Sequence, residues 1–130
     1  MTRPRVVIAE DFVLLQEMVR DTLEPACEVI ATAEDGQSAI EAVTSHRPDI
    51  LLVDVSLPVA NGFLVTERVR QTDPEIKIIF VTAYRERSFV DKAFELGAKG
   101  YVLKSSIRTE LLAAIRQVMG GGLYRSAFLA

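Results

Sequence analysis

Ile50-Leu51-Leu52-Val53-Asp54 is the stretch on which the fold turns. Four consecutive apolar residues are too few for a helix and show no alternation. That pattern suits a parallel strand buried on both faces. The strand stops on a carboxylate, which places a charge where an apolar run ends. Working outward, strand-like segments occur at Arg5–Ala9, Glu28–Ala33, Lys77–Val81 and Gly100–Leu103, and four of the five read as nearly continuous apolar runs. Between and after them, helical patterns cover Phe12–Leu23, Gln37–Ser45, Phe63–Gln71, Phe89–Leu96 and Ile107–Met119. The last carries Ile107, Leu111, Leu112, Ile115, Val118 and Met119 on one helical face.

Strict alternation of strand and helix predicts right-handed βα units around a parallel sheet. The expected architecture is a doubly wound (βα)5 flavodoxin-like sandwich with a five-stranded parallel sheet. Punctuation agrees with it. Asp35-Gly36 opens the second helix and Arg47-Pro48-Asp49 closes it. Ser88-Phe89-Val90-Asp91 has the spacing of a capping box, and Gly97 suits the cap that follows the same helix. The Gly120-Gly121-Gly122 run reads as a hinge.

With 130 residues, of which 49% are hydrophobic and 25% charged, one well-filled domain is expected and disorder is excluded. The net charge of −3 is unevenly spread. Residues 1–60 hold 4 basic against 11 acidic side chains, and residues 61–130 hold 11 against 7. A chain that is acidic overall, without a basic run, is a poor nucleic-acid binder by itself. Cys27 is the only cysteine, so neither an internal disulfide nor a cysteine-cluster metal site can form. It is expected in the core. No apolar stretch approaches bilayer length and no signal peptide is visible, which points to a cytoplasmic setting without membrane contact.

In doubly wound sheets, ligands bind beyond the carboxyl ends of the strands. There the chain places Glu10 and Asp11 after the first strand, Asp54 after the third, Thr82 after the fourth and Lys104 after the fifth. Each has a plain alternative reading: Asp11 as a helix cap, Glu10 and Lys104 as solvated charges, Thr82 as a β-former. Convergence on one edge favours chemistry instead. Two like charges 4 Å apart repel by about 4 kcal/mol at an effective dielectric of 20. Three carboxylates together therefore call for a cation, and few oxygen ligands beside a phosphate suit Mg2+. The set reads as a metal-assisted phosphoryl-transfer site with a carboxylate nucleophile.

Taken in order, Ile8-Ala9-Glu10-Asp11, Leu51-Leu52-Val53-Asp54, Leu57-Pro58-Val59-Ala60-Asn61-Gly62, Val81-Thr82-Ala83 and Gly97-Ala98-Lys99-Gly100-Tyr101-Val102-Leu103-Lys104 resemble the receiver domain of two-component response regulators. The resemblance covers nearly the whole chain. It implies that Asp54 is the phosphoacceptor for a sensor histidine kinase or a histidine phosphotransfer protein. It implies Mg2+ on Asp11 and Asp54, on Glu10 directly or through water, and on the backbone carbonyl of Ser56. Lys104 would grip the phosphoryl group, and Thr82 would move to hydrogen-bond it. Tyr101 would then turn inward and alter the face of the fourth helix, fifth strand and fifth helix. A half-buried strand aromatic is the plainer reading of Tyr101.

Three features depart from the usual pattern or extend it. Glu10 replaces the commoner aspartate. Ser105 follows Lys104 where many receivers carry a proline with a cis bond, a geometry that would cost about 3–4 kcal/mol before serine. Tyr84, two places after Thr82, is expected to screen attacking water. The tail from Met119 to Ala130 resembles the end of receivers that precede a LuxR-type helix-turn-helix domain. Residues 1–119 are thus read as the receiver, and 120–130 as an exit segment to an absent DNA-binding output domain. A phosphorylation-linked homodimer is a further expectation.

Rival readings remain. An aspartate-nucleophile phosphatase would carry a second Asp two residues after the first, where Ser56 stands. A flavin module would need a phosphate-cradling loop in place of Glu10-Asp11. A receiver-like module that is never phosphorylated is the third.

Overall fold

Ile50–Val53 forms the middle of a sheet, hydrogen-bonded on both sides, and all four residues are buried. The computed structural model describes residues 3–127 and residue 129. Along the chain lie β1 (Arg5–Ala9), α1 (Val13–Leu23), β2 (Glu28–Ala33), α2 (Gly36–His46), β3 (Ile50–Val53) and α3 (Gly62–Thr72). They are followed by β4 (Lys77–Thr82), α4 (Arg87–Glu95), β5 (Gly100–Leu103), one 3-10 turn (Lys104–Ser106), α5 (Ile107–Met119) and β6 (Tyr124–Arg125). Strand order is β2-β1-β3-β4-β5-β6, and every pairing is parallel.

Period-two alternation divides the core between the sheet's faces. Val7, Ala9, Leu51, Val53, Ile78 and Phe80 pack with α2, α3 and α4. Val6, Ile8, Ile50, Leu52, Ile79 and Val81 pack with α1 and α5, and Cys27 is buried among them. The chain leaves β1 toward β2 and then returns to β3 on β1's other side. β1 and β3 therefore flank the topological switch point, where a crevice opens at their carboxyl ends.

The sheet has six strands, not the five expected. An edge strand exposes unpaired backbone groups, and the chain covers β5 itself. Tyr124 N–H donates to the Lys99 carbonyl and Ser126 N–H to that of Tyr101, each at 2.9 Å. The Ser126 hydroxyl accepts from Leu103 N–H at 3.0 Å, extending the ladder with a side chain. A two-residue strand carries no periodicity by which sequence could reveal it.

The expected capping box is also corrected. α4 begins at Arg87 behind Glu86, which makes no side-chain cap bond, so Ser88 lies inside the helix. Elsewhere the caps form: Asp35 accepts from Ser38 N–H at 2.7 Å and Asn61 from Leu64 N–H at 3.0 Å. After α4, Gly97 takes φ +101. Its N–H bonds Phe94, and Ala98 N–H bonds Ala93, which is a Schellman ending. No cis peptide occurs among the described residues, so Lys104-Ser105 is trans. No helix among them is long and apolar enough to cross a membrane.

Ser126→Ala leaves the buried Leu103 N–H without its acceptor. The expected loss is about 1–3 kcal/mol, seen as a lower denaturant midpoint at an unchanged m-value. An unshifted midpoint would mean that this bond adds nothing.

Candidate functional site

Sheet register carries the acidic residues to their places. Glu10 N–H donates to Ala33 at 3.0 Å and Asp54 N–H to Ala9 at 3.2 Å, so β1 and β3 end side by side. Glu10 and Asp54 are each 4% exposed, while Asp11, at the bend after Glu10, is exposed. Carboxylate oxygens of Glu10, Asp11 and Asp54 lie within 4.8 Å of one another. From the turn after β5, Lys104 Nζ reaches Asp54 Oδ2 at 2.7 Å and Glu10 Oε1 at 2.9 Å. Thr82 ends β4 fully buried. Asp11, Asp54, Ser56, Thr82, Ala83, Tyr84 and Lys104 line one cleft of about 230 Å³. Gly62 lies so close to Asp54 that a Cβ there would strike the Asp54 carbonyl.

One ammonium faces three carboxylates, so the cleft is a negative well. Burial pushes the Glu10 carboxyl above its ordinary range, against the opposing hydrogen bonds of Lys104 and Phe12. Burial alone would lower Lys104. Its hydrogen bonds with Asp54 and Glu10 outweigh that effect, and the net shift is upward. The ammonium thus stays charged at neutral pH.

Glu10 has both oxygens occupied, Oε1 by Lys104 and Oε2 by Phe12 N–H at 3.0 Å. Asp54 does not. Its Oδ1, like Thr82 Oγ1, is buried without a hydrogen-bond partner. A buried orphan acceptor and a buried orphan hydroxyl on residues of one cleft are uncommon in a folded protein. A hard cation fits the Asp54 and Asp11 oxygens, and a phosphoryl oxygen fits the Thr82 hydroxyl.

Two readings change here. The N-cap of α1 is Phe12 rather than Asp11, and no side chain caps that helix; the Phe12 N–H is instead bonded by the Glu10 carboxylate. Tyr101 is fully buried rather than half-buried. It stacks on Phe80 and donates its hydroxyl to the Tyr84 carbonyl at 2.8 Å. The inward position that the resemblance reserves for the phosphorylated state is the one seen here. Burial first, then the charges of Glu86 and Asp54, push its phenol well above the tyrosine range. The Tyr84 ring packs 4.7 Å from that of Phe89 at the cleft's rim.

Sequence reasoning missed Gln16, whose Nε2 donates to the Glu10 carbonyl. The signal was available: with Val19 and Leu23 it makes up the buried face of α1, an odd place for an amide.

Residues 6–116 match the family described as response regulator receiver domain. The chain is 35% identical over 122 residues to the transcriptional regulatory protein DegU of Brevibacillus brevis, covering 92% of this chain and 52% of the relative. It is 36% identical over 117 residues to protein CcdB of Bacillus subtilis, covering 89% and 98%. A crystal structure of a LuxR-family two-component response regulator from Aurantimonas sp. SI85-9A1 superposes with a TM-score of 0.94 at 33% identity, covering 98% and 93%. A doubly wound sheet with this strand-end cluster is the receiver architecture, and the chain belongs to the response regulator receiver domain family. It spans about half the length of DegU and nearly all of CcdB.

Asp11→Asn removes one of three crowded charges. It is expected to stabilise the metal-free protein by about 1 kcal/mol, measured as a higher unfolding midpoint in a chelator. A lower midpoint would refute the crowding.

Lys104 generates a pH prediction. Its folded pKa is raised, so its stabilisation is complete below the ordinary value of 10.5 and is lost as pH rises through the folded value. From neutral pH, where the Glu10 and Asp54 carboxylates are charged, the stability gap between wild type and Lys104→Met should stay constant up to that value and shrink beyond it. A gap still constant at higher pH would contradict the sign.

Proposed function

We propose that this receiver domain is a phosphorylation-dependent signalling switch whose phosphoacceptor is Asp54. The observation that carries the reading is the buried, unpartnered Oδ1 of Asp54, a residue that lines the cleft and whose Oδ2 is held by Lys104. Oδ1 attacks the phosphorus of a phosphohistidine on a sensor histidine kinase or phosphotransfer protein. The O–P bond forms as the P–N bond breaks, and the imidazole leaves with the electron pair of that bond and takes up a proton. Asp11, Asp54, the Ser56 carbonyl and Glu10, directly or through water, would hold Mg2+. When bound, Mg2+ neutralises charge on the phosphoryl oxygens. Lys104 offers its ammonium to the same oxygens, and Thr82 has a free hydroxyl to donate. The domain catalyses only its own phosphorylation and dephosphorylation.

An inward Tyr101 keeps its own ring off the surface, and a phosphoryl group that draws Thr82 toward it favours that arrangement. Phosphorylation then biases a two-state element at a distance. Residues 120–130 are read as the exit segment toward a DNA-binding output domain, as in longer relatives, with transcription as the regulated process. Homodimerisation on phosphorylation, in the cytoplasm, completes the proposal. Ser56, where a phosphatase of this chemistry would carry its acid, favours a switch over turnover of external substrates.

Incubation with Mg2+ and acetyl phosphate should add one phosphoryl group by mass spectrometry, and none in Asp54→Ala. Multiple turnovers of phosphodonor, or labelling that persists in Asp54→Ala, would sink the assignment. Tyr84 lines the cleft mouth, so Tyr84→Ala should shorten the phosphorylated lifetime. An unchanged autodephosphorylation rate would remove its role as a water screen.

A further inference from the structure

Gln16 sits one turn into α1 and is 8% exposed, with its amide turned back toward the site. A buried amide is costly unless bonded. Its Nε2 donates to the Glu10 carbonyl at 2.5 Å. That carbonyl lies where the sheet ladder gives out: Glu10 N–H is still paired with Ala33, and the chain then leaves β1 through the bend at Asp11. On the far side of the bend, Phe12 N–H is tied to Glu10 Oε2. Both flanks of Asp11 are thereby anchored, Glu10 by Gln16 and Phe12 by the Glu10 carboxylate. Asp11 itself is exposed, with its carboxylate across from that of Asp54.

We propose that Gln16 is a positioning residue for the divalent cation, holding the Glu10–Asp11 peptide so that the Asp11 carboxylate stays opposite Asp54. The assignment rests on the Mg2+ reading given above. An apolar side chain at this place would fill the same volume and leave the Glu10 carbonyl unpaired. The bend would then gain freedom that binding must remove, and a ligand held in advance binds more tightly. Gln16 touches neither cation nor phosphoryl group, and its effect passes through Asp11.

The test is Mg2+ titration by calorimetry of wild type, Gln16→Met, Asp11→Asn and the double variant. Gln16→Met should weaken Mg2+ binding by about tenfold, as loss of partners behind metal ligands does. The double variant should bind no more weakly than Asp11→Asn alone. In metal-free protein, the Phe12 amide of Gln16→Met should exchange with solvent faster than in wild type. If Gln16→Met does not fold, Gln16→Asn keeps the amide but is one methylene too short, and should show the same loss. Equal affinity in wild type and variant overturns the proposal alone, as does a Gln16 effect undiminished in the Asp11→Asn background. Wild type without saturable Mg2+ binding overturns the metal reading, and the proposal with it.

Discussion

Lys104 Nζ between Asp54 Oδ2 and Glu10 Oε1 is the contact on which the carboxyl edge of the sheet depends. Two nearly buried carboxylates at the ends of adjacent strands would repel by several kcal/mol in a medium less polar than water. One ammonium makes the arrangement tolerable without neutralising it. Asp11 remains in excess, and so does one oxygen of Asp54. A structure built so is still short of positive charge. That shortage is its chemical capacity.

Packing behind the cleft serves the same constraint. Asp54 follows a strand with no exposed residue, so its backbone cannot retreat. Gly62 lets α3 start against the Asp54 carbonyl, where any side chain would collide. Phe63, Phe80 and Tyr101 form a line of aromatic contacts beneath the rim, and the Tyr101 hydroxyl ends on the Tyr84 carbonyl. The loop after β4, which carries Ala83 and Tyr84 into the cleft, is thus tied to β5 by the ring of Tyr101. β5 is tied in turn to residues 124–126 by backbone and hydroxyl bonds. The cleft and the end of the chain share one strand.

How much of this was legible depends on the range of the signal. β1, β3 and β5 have the bounds read from their apolar runs, since burial on both faces leaves a dense pattern, and β2 keeps its bounds although most of it is only partly buried. α5 does too, because thirteen residues give three full turns of periodicity. Ser88 misled because a capping spacing occurs by chance inside helices, and only the backbone shows which residue precedes the first turn. β6 escaped because its partner lies a helix away and its two residues carry no period. Gln16 could have been flagged as a polar residue on a core face, although its acceptor could not.

By itself, the sequence determined the alternation of strands and helices, the acidic and basic residues that end them, and the family to which the chain belongs. These follow from short-range patterns, because periodicity and strand-end position are properties of neighbours along the chain. Only the tertiary structure decided which oxygens are already taken. Glu10 is committed to Lys104 and Phe12, Asp54 keeps one oxygen free, and Tyr101 lies inward. Those outcomes depend on side chains that meet from up to 94 positions apart, as Glu10 and Lys104 do. No local pattern encodes which of several carboxylates one lysine will reach.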